Sequence, residues 1–399
     1  MGEVWKPQNE GDVAAAVNDA IAARKTMELI GAGSRRKLGR AVSAGITLDL
    51  SALSGVVSYQ PEELVLSVRP ATPLAELTAL LAERGQRLAF DPPDFGALWG
   101  QTAAAGTIGG AIMVGRGGPR RLTAGGPRDH CLGVKGVNGF GKAFAAGGRV
   151  VKNVTGFDLP KLVTGSFGTL CAVTELSLKV LPAPQAAVTL VVAGLSDDAA
   201  VTLMSKALAS PAQVSAAAHL PAGVGSFSEA MTLLLLEGAR ESLGARQERL
   251  ATTLAVAVTA LDEQGSAALW RDIGGAALFA GGDLPVWALS APPSLAPALT
   301  RRLAKDVGGR WFFDWGGGLI WLETPAANDA HGPAIRRALA EIAPGAHATL
   351  IRAGAATSAD PFQPLPAPLA ALSERVRAQF DPEGVFNPGR MYPRAVNAN

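Results

Sequence analysis

The stretch that decides the fold is KNVTGFDLPKLVTGSFGTLCAVTELSLKVL, residues 152–181. It opens on the turn formers Asn153, Thr155 and Gly156, passes a short apolar patch at Leu159, Leu162 and Val163, and breaks at Gly165 and Gly168. A strict alternation follows. Ala172, Thr174, Leu176, Leu178 and Val180 fall on one face, and Val173, Glu175, Ser177 and Lys179 on the other, which predicts a half-buried strand. Pro182 and Pro184 end it, because neither can donate to a sheet ladder.

Upstream, Val13, Val17 and Ile21 recur at helical spacing and predict a helix over Asp12–Arg24. A strand at Met27–Ile30 runs into Gly31-Ala32-Gly33-Ser34-Arg35-Arg36. The third glycine of a dinucleotide fingerprint is missing and no βαβ unit continues, so a Rossmann reading fails. Such a loop still turns backbone N–H groups toward a phosphate, with two arginines as counter-charge. Strands are expected at 46–50, 56–59 and 64–68, then a helix with Thr72 as N-cap and Pro73 at its first position. Asp91-Pro92-Pro93 ends a further strand. The second glycine-rich block is QTAAAGTIGGAIMVGRGGPRR, residues 101–121. Small residues at that density let a backbone approach a flat ligand.

Residues 131–138 and 144–151 predict a hairpin about Asn138-Gly139-Phe140-Gly141. Ala183–Ala186 reads as a linker, and the elements beyond it alternate as βαββαβ followed by a partial echo. A last helix at 367–379 leads into FDPEGVFNPGRMY, residues 380–392. The expected organisation is therefore an α+β chain with a first domain at 1–182, an α+β cap at 183–366 and a returning segment at 367–399.

Composition narrows the function classes. The net charge of +2 over 399 residues, with no long basic run, argues against nucleic acid. Cys131 and Cys171 form no CxxC, and His130, His219, His331 and His347 show no HxxxH or HxH spacing, so no metal site is expected. Residues 1–25 lack a secretory apolar core, and the strongest apolar run, Met231–Leu236, is too short to span a bilayer. A reduced, cytoplasmic, metal-free protein is the expectation.

Four motifs stand in one order: GAGSRR (31–36), GTIGGAIMVGRGGPRR (106–121), KNVTGFDLPKLVTGSFGTL (152–170) and FDPEGVFNPGRMY (380–392). Together they resemble the PCMH-type, vanillyl-alcohol-oxidase-like FAD-binding family. Within it they are most similar to the E-subunit family of bacterial glycolate oxidase. The resemblance is dense over the first 181 residues and the last thirty, and the middle follows by element order alone. It implies a two-part FAD-binding domain and a ferredoxin-like cap. Gly31, Ala32, Gly33, Ser34 and Arg35 would receive the FAD pyrophosphate. Thr107, Gly109 and Gly110 would line the flavin, Gly117, Pro119 and Arg120 would continue that wall, and Arg121 or Asp129 would hydrogen-bond the cofactor. Gly168 and Val173 would meet the adenosine end, and Asn387 would approach the isoalloxazine.

The resemblance further implies oxidation of glycolate and similar 2-hydroxy acids, beside a larger homologous FAD subunit and an iron–sulfur subunit. It implies peripheral association with the cytoplasmic face of the inner membrane through those partners. One departure matters. Self-sufficient 2-hydroxy-acid dehydrogenases of the superfamily carry a histidine-rich cap strand that supplies a base. The corresponding pair here, WFFDWGGGLIWLE at 311–323, holds no histidine. No histidine stands in residues 31–40 for covalent attachment either, so FAD would be held non-covalently. Catalytic residues are left unassigned. A stand-alone flavin enzyme and a scaffold subunit with a structural flavin are the alternatives.

Overall fold

The computed structural model describes residues 2–148, 156–225, 227–356 and 358–393. The 152–155 portion of the opening stretch and the end of the expected hairpin, 149–151, lie outside the described residues.

The first part runs β1 (Glu3–Trp5), α1 (Glu10–Ala22), β2 (Met27–Ile30), β3 (Ile46–Asp49), β4 (Val56–Gln60), β5 (Val65–Val68), α2 (Leu74–Ala82) and β6 (Gln86–Arg87). It continues with α3 (Ile108–Val114), α4 (Arg121–Ala124), α5 (Pro127–His130), β7 (Cys131–Asn138), β8 (Ala143–Gly147), α6 (Leu159–Val163), β9 (Cys171–Lys179) and β10 (Leu181–Pro182). Two sheets result: a parallel one ordered β1-β3-β2, and an antiparallel one ordered β4-β5-β9-β7-β8.

The deciding strand is β9, and it is central rather than half-buried. It pairs with β5 on one edge and β7 on the other, and seven of its nine residues are buried, so both faces are covered as well. The strict alternation also breaks. Lys135 pairs with Glu175 but Gly136 with Val173, so Thr174 is an extra residue. Val173 therefore joins Leu176, Leu178 and Val180 in one core, while Ala172 enters another with Val13, Val17, Ile46 and Leu48. Thr72 does not cap α2: its hydroxyl donates to Arg69 O at 2.7 Å and accepts from Gly55 N at 2.9 Å, tying two loops instead. The glycine-rich block is not one loop, since α3 lies inside it with Thr107 as N-cap.

The second part runs β11 (Ala186–Ala193), α7 (Asp197–Leu208), β12 (Ala216–Leu220), β13 (Met231–Gly238), α8 (Arg240–Leu254), β14 (Thr259–Leu261) and α9 (Glu263–Gly274). Then come β15 (Val286–Ser290), α10 (Ala296–Asp306), β16 (Arg310–Asp314), β17 (Leu319–Glu323), α11 (Gly332–Ile342) and β18 (His347–Arg352). One sheet holds all eight strands, ordered β14-β11-β13-β12-β16-β17-β15-β18. Both halves are complete βαββαβ units, joined where His219 of β12 pairs with Phe313 of β16. The echo looks partial in the sequence because β14 is only three residues long.

Helices cover one sheet face around Leu234, Trp287, Leu299, Phe313 and Leu350. The opposite face, with Leu233, Ala288, Phe312 and Trp321, packs against Leu38, Phe95, Leu98 and Trp99 of the first part. The aromatic residues of 311–323 are thus split between two faces and form no single wall. Trp99 Nε1 donates to Ile351 O at 3.0 Å across this junction, and Arg352 Nη1 to Leu98 O at 2.8 Å.

After α12 (Ala367–Phe380) the chain returns to the first sheet: Met27 N donates to Val385 O at 2.7 Å, and Asn387 N to Met27 O at 2.8 Å. Among the described residues no helix is long and apolar enough to cross a membrane.

Candidate functional site

The expected site residues gather in three places along the junction. The first is where the loop after β2 meets the start of α3. Gly33 adopts φ +72°, a left-handed turn that favours glycine, and brings Arg35 back toward α3. A Cβ on Gly31 would stand 3.2 Å from Thr107 Oγ1, and one on Gly106 only 2.9 Å from Arg35 Nη1. Thr107 accepts from Gly110 N at 3.3 Å. Gly109 has its own structural reason: a Cβ there would stand 2.7 Å from Pro70, so α3 could not seat. Ala32 is exposed and Ser34 half-buried on the rim. Arg35 Nη2 donates to Pro93 O at 2.8 Å, but its Nε is buried without a partner. Burial pushes this guanidinium down to about 10, with the nearby Asp94 carboxylate opposing. A desolvated cation with an unused donor, ringed by Gly31, Gly106 and Gly110, suits an anionic diphosphate.

The second place is the loop after α3. Gly117, Gly118 and Pro119 are buried; a Cβ on Gly118 would meet Asp91 at 2.6 Å, and Pro119 lies against Gly274 of α9. Arg120 clamps the two parts together. Its Nη1 donates to Asp91 Oδ2 at 2.7 Å, its Nε to Glu237 Oε2 at 2.7 Å and its Nη2 to Glu237 Oε1 at 2.8 Å. Its charge is taken up by those carboxylates. Arg121 lies 5.3 Å over the Trp315 ring, whose Nε1 donates to Gly118 O at 3.0 Å.

The third place is the returning segment. Asn387 Oδ1 accepts from Leu29 N at 2.8 Å, Nδ2 donates to Phe167 O at 2.7 Å, and a Cβ on Gly168 would stand 2.8 Å from that Nδ2. Asn387 and Gly168 therefore tie three segments beside the loop after β2. Two expected residues lie apart from these places. Asp129 accepts from Gly126 N at 2.8 Å and caps α5, and Val173 is a core residue of β9.

The sequence reading missed three groups. Arg116, at the end of α3, lies 5.6 Å over the Trp321 ring, and no described carboxylate pairs with it. Burial and the like charge of Arg121 push it down to about 10. His347 faces the same side: Trp321 and Thr349 both pair with Ala288, and His347 is two residues from Thr349. Burial and the Arg116 charge hold its imidazole below the usual value. The other histidines are elsewhere; His130 sits between Ala124 O at 2.7 Å and Lys179 O at 3.3 Å, and His219 bonds Thr232 at 2.9 Å. Arg310 and Arg352, the cap arginines that an incoming carboxylate would need, both bind Glu323, at 3.0 Å each.

The third group is Asp314, 1% exposed, whose Oδ1 accepts from Trp315 N at 2.7 Å while Oδ2 has no partner. Burial pushes its carboxyl up to about 7, the Trp315 N–H opposes, and Asp91 adds to the rise. Ionising it in the folded state is costly, so its stabilising protonated form is complete below the ordinary carboxylate pKa and lost as pH rises through 7. Asp314→Asn is expected to unfold at a higher temperature than wild type at pH 8, by about 2–4 kcal/mol of stability. The two should converge near pH 4 in thermal melts, and equal melting temperatures at pH 8 would refute the buried acid.

An apolar groove of about 880 Å3 opens between Leu162, Leu170, Phe362, Leu372, Val376 and Phe386, with Asn387 of the third place on its wall. Neither Arg35 nor Arg116 is on its wall, so the cations lie at the junction rather than in the groove.

Residues 3–147 match the FAD binding domain family. The glycolate oxidase subunit GlcE of Escherichia coli is 35% identical over 377 residues, covering 94% of this chain and 95% of that protein. The chain belongs to that glycolate oxidase subunit family. It is thus a FAD-binding protein of an oxidoreductase family. The Bacillus subtilis glycolate oxidase subunit GlcD is 31% identical over 193 residues, 48% of this chain and 38% of that one. In structure the chain resembles alkyldihydroxyacetonephosphate synthase with a TM-score of 0.68 at 14% identity, covering 96% of this chain and 75% of that one. At that identity the likeness speaks for the fold alone, PCMH-type in both.

Proposed function

We propose that this chain is the non-covalent FAD-binding subunit of a complex that oxidises glycolate and similar 2-hydroxy acids to 2-oxo acids. The observation that carries the reading is the meeting of the loop after β2 with the start of α3 around the partly unsatisfied Arg35. Gly31–Arg35 receive the cofactor's diphosphate there, Thr107, Gly109 and Gly110 line the flavin with Gly117, Pro119 and Arg120 continuing that wall, Gly168 lies toward the adenosine end, and Asn387 approaches the isoalloxazine. When bound, FAD accepts the hydride from the substrate's hydroxyl-bearing carbon. The chain's own part is to fix the ring between α3 and the cap sheet and to exclude water with Phe312, Trp315 and Trp321. The boundaries at 182 and 366 separate cofactor and cap domains in this reading.

A larger homologous FAD subunit and an iron–sulfur subunit complete the complex, which meets the inner membrane through them. Supporting this is the full-length similarity to a protein named as a glycolate oxidase subunit. Neither Cys131 nor Cys171 could hold an iron–sulfur cluster alone, since both are buried in strands.

No histidine stands in residues 31–40 or 101–121. The purified protein is therefore expected to be yellow and to release all its flavin on acid precipitation. Colour that stays with the precipitated chain would overturn the non-covalent assignment, and a protein that never binds flavin would overturn the function.

A further inference from the structure

We infer that Arg116 is the receptor for the carboxylate of the 2-hydroxy acid, which deepens the function proposed above and rests on it. A small 2-hydroxy acid needs a cation to hold its carboxylate beside the flavin. Arg310 and Arg352 are both bound to Glu323, and Arg120 is held by Asp91 and Glu237. Arg36 is bound to Glu28. Arg35 lies on the diphosphate side of the junction, against Pro93 and Gly106.

Arg116 differs from all of these. It projects from the end of α3 onto the cap sheet, its guanidinium carbon 5.6 Å from the centre of the Trp321 ring. It is half-buried, and none of its nitrogens is among the fully enclosed unpartnered atoms. Arg121, the nearest charge acting on it, is a second cation rather than a carboxylate. Cation–π contact with the Trp321 ring holds the guanidinium in place without using up its N–H donors, which suit a bidentate anion. His347, on the same face of the sheet, is an imidazole and so brings no negative charge to compete for the guanidinium.

An unpaired cation at a desolvated junction costs the unliganded fold stability, and a ligand carboxylate offsets that cost. The two consequences are opposite in sign, and together they separate a receptor from a packing residue. The test uses the full-length FAD-loaded chain titrated with glycolate and with oxalate, a non-oxidisable dicarboxylate. Flavin absorbance changes and melting temperature are the readouts. Wild type should respond to both acids. Arg116→Met should weaken the response about 10- to 100-fold, melt at a higher temperature than wild type without ligand, and keep its full flavin. Arg116→Lys should keep the charge and recover part of the affinity. Unchanged acid affinity in both variants would overturn the inference, as would a wild type that binds flavin but responds to neither acid. Loss of flavin from Arg116→Met would instead assign the residue to the cofactor's own anion and overturn it equally. A wild type that binds no flavin at all would sink the proposed function rather than this residue's part in it.

Discussion

Arg35→Met chain should purify colourless, or lose its flavin on the first passage through a desalting column, while wild type stays yellow. Arg35 Nη2 already donates to Pro93 O at 2.8 Å, which orients the guanidinium, and its Nε is buried with no acceptor. A charge-assisted hydrogen bond to a phosphate oxygen is worth about 1.5–3 kcal/mol, or about 10- to 150-fold in affinity. Methionine keeps an unbranched apolar stem and removes only the charged head. Gly110→Val reaches the same end by a different route. A first Cβ there already lies 3.4 Å from Thr107 Oγ1 and 3.5 Å from Arg35 Nη1, so the branches of valine must displace the arginine. Gly33→Val acts through the backbone, because a β-branched residue at φ +72° strains the turn. All three positions are in loops or the first turn of α3, outside the four hydrophobic cores. Circular dichroism should therefore show a folded chain, and the flavin-to-protein absorbance ratio is the measurement. Normal flavin content in Arg35→Met and Gly110→Val together would mean that the diphosphate lies elsewhere.

Much of this was legible because local chemistry and global fold agree. The strand at 171–179 announces itself by period, and GAGSRR by its small residues after a strand. What the sequence hid is relational. The extra residue at Thr174 changes which side chains face which core, and only the partner strand β7 reveals it. Thr259–Leu261 is too short for any periodicity, yet it completes the first βαββαβ unit. Thr72 reads as a cap because its type and its neighbour Pro73 fit that role, but two loop carbonyls and an amide compete for its hydroxyl and win. Nothing in the spacing of Arg310, Glu323 and Arg352 shows that one carboxylate binds both arginines. Arg116, by contrast, reads as one more residue of a glycine-rich run. Its separation from every described carboxylate is a property of the junction between α3 and the cap sheet, and no spacing rule encodes it.

The isolated chain, loaded with FAD, should oxidise glycolate or D-lactate negligibly with an artificial electron acceptor. Activity should appear only when the proposed larger flavin subunit and iron–sulfur subunit are added. Oxidising a 2-hydroxy acid requires a base for the hydroxyl proton, and general-base assistance contributes about 10²–10⁴-fold in rate. The strand pair 310–323 supplies tryptophan and phenylalanine on its junction face, which shield a ring but take no proton. Asp314 is on that pair, but it is 1% exposed, so no substrate hydroxyl reaches it. His347 has the right sheet face, yet it stands at the first position of β18, two strands away from Trp321. At about 4.8 Å per strand the two backbones are near 10 Å apart, a gap the imidazole would have to bridge to take the proton of an acid held at Arg116 over Trp321. Anaerobic stopped-flow mixing with glycolate should accordingly leave the flavin oxidised long after the assembled complex has turned over. Rapid bleaching by the chain alone would instead make it a stand-alone oxidoreductase. His347→Gln would then be the decisive variant, because a loss of about 10²-fold or more in that rate would identify the imidazole as the base that distance argues against.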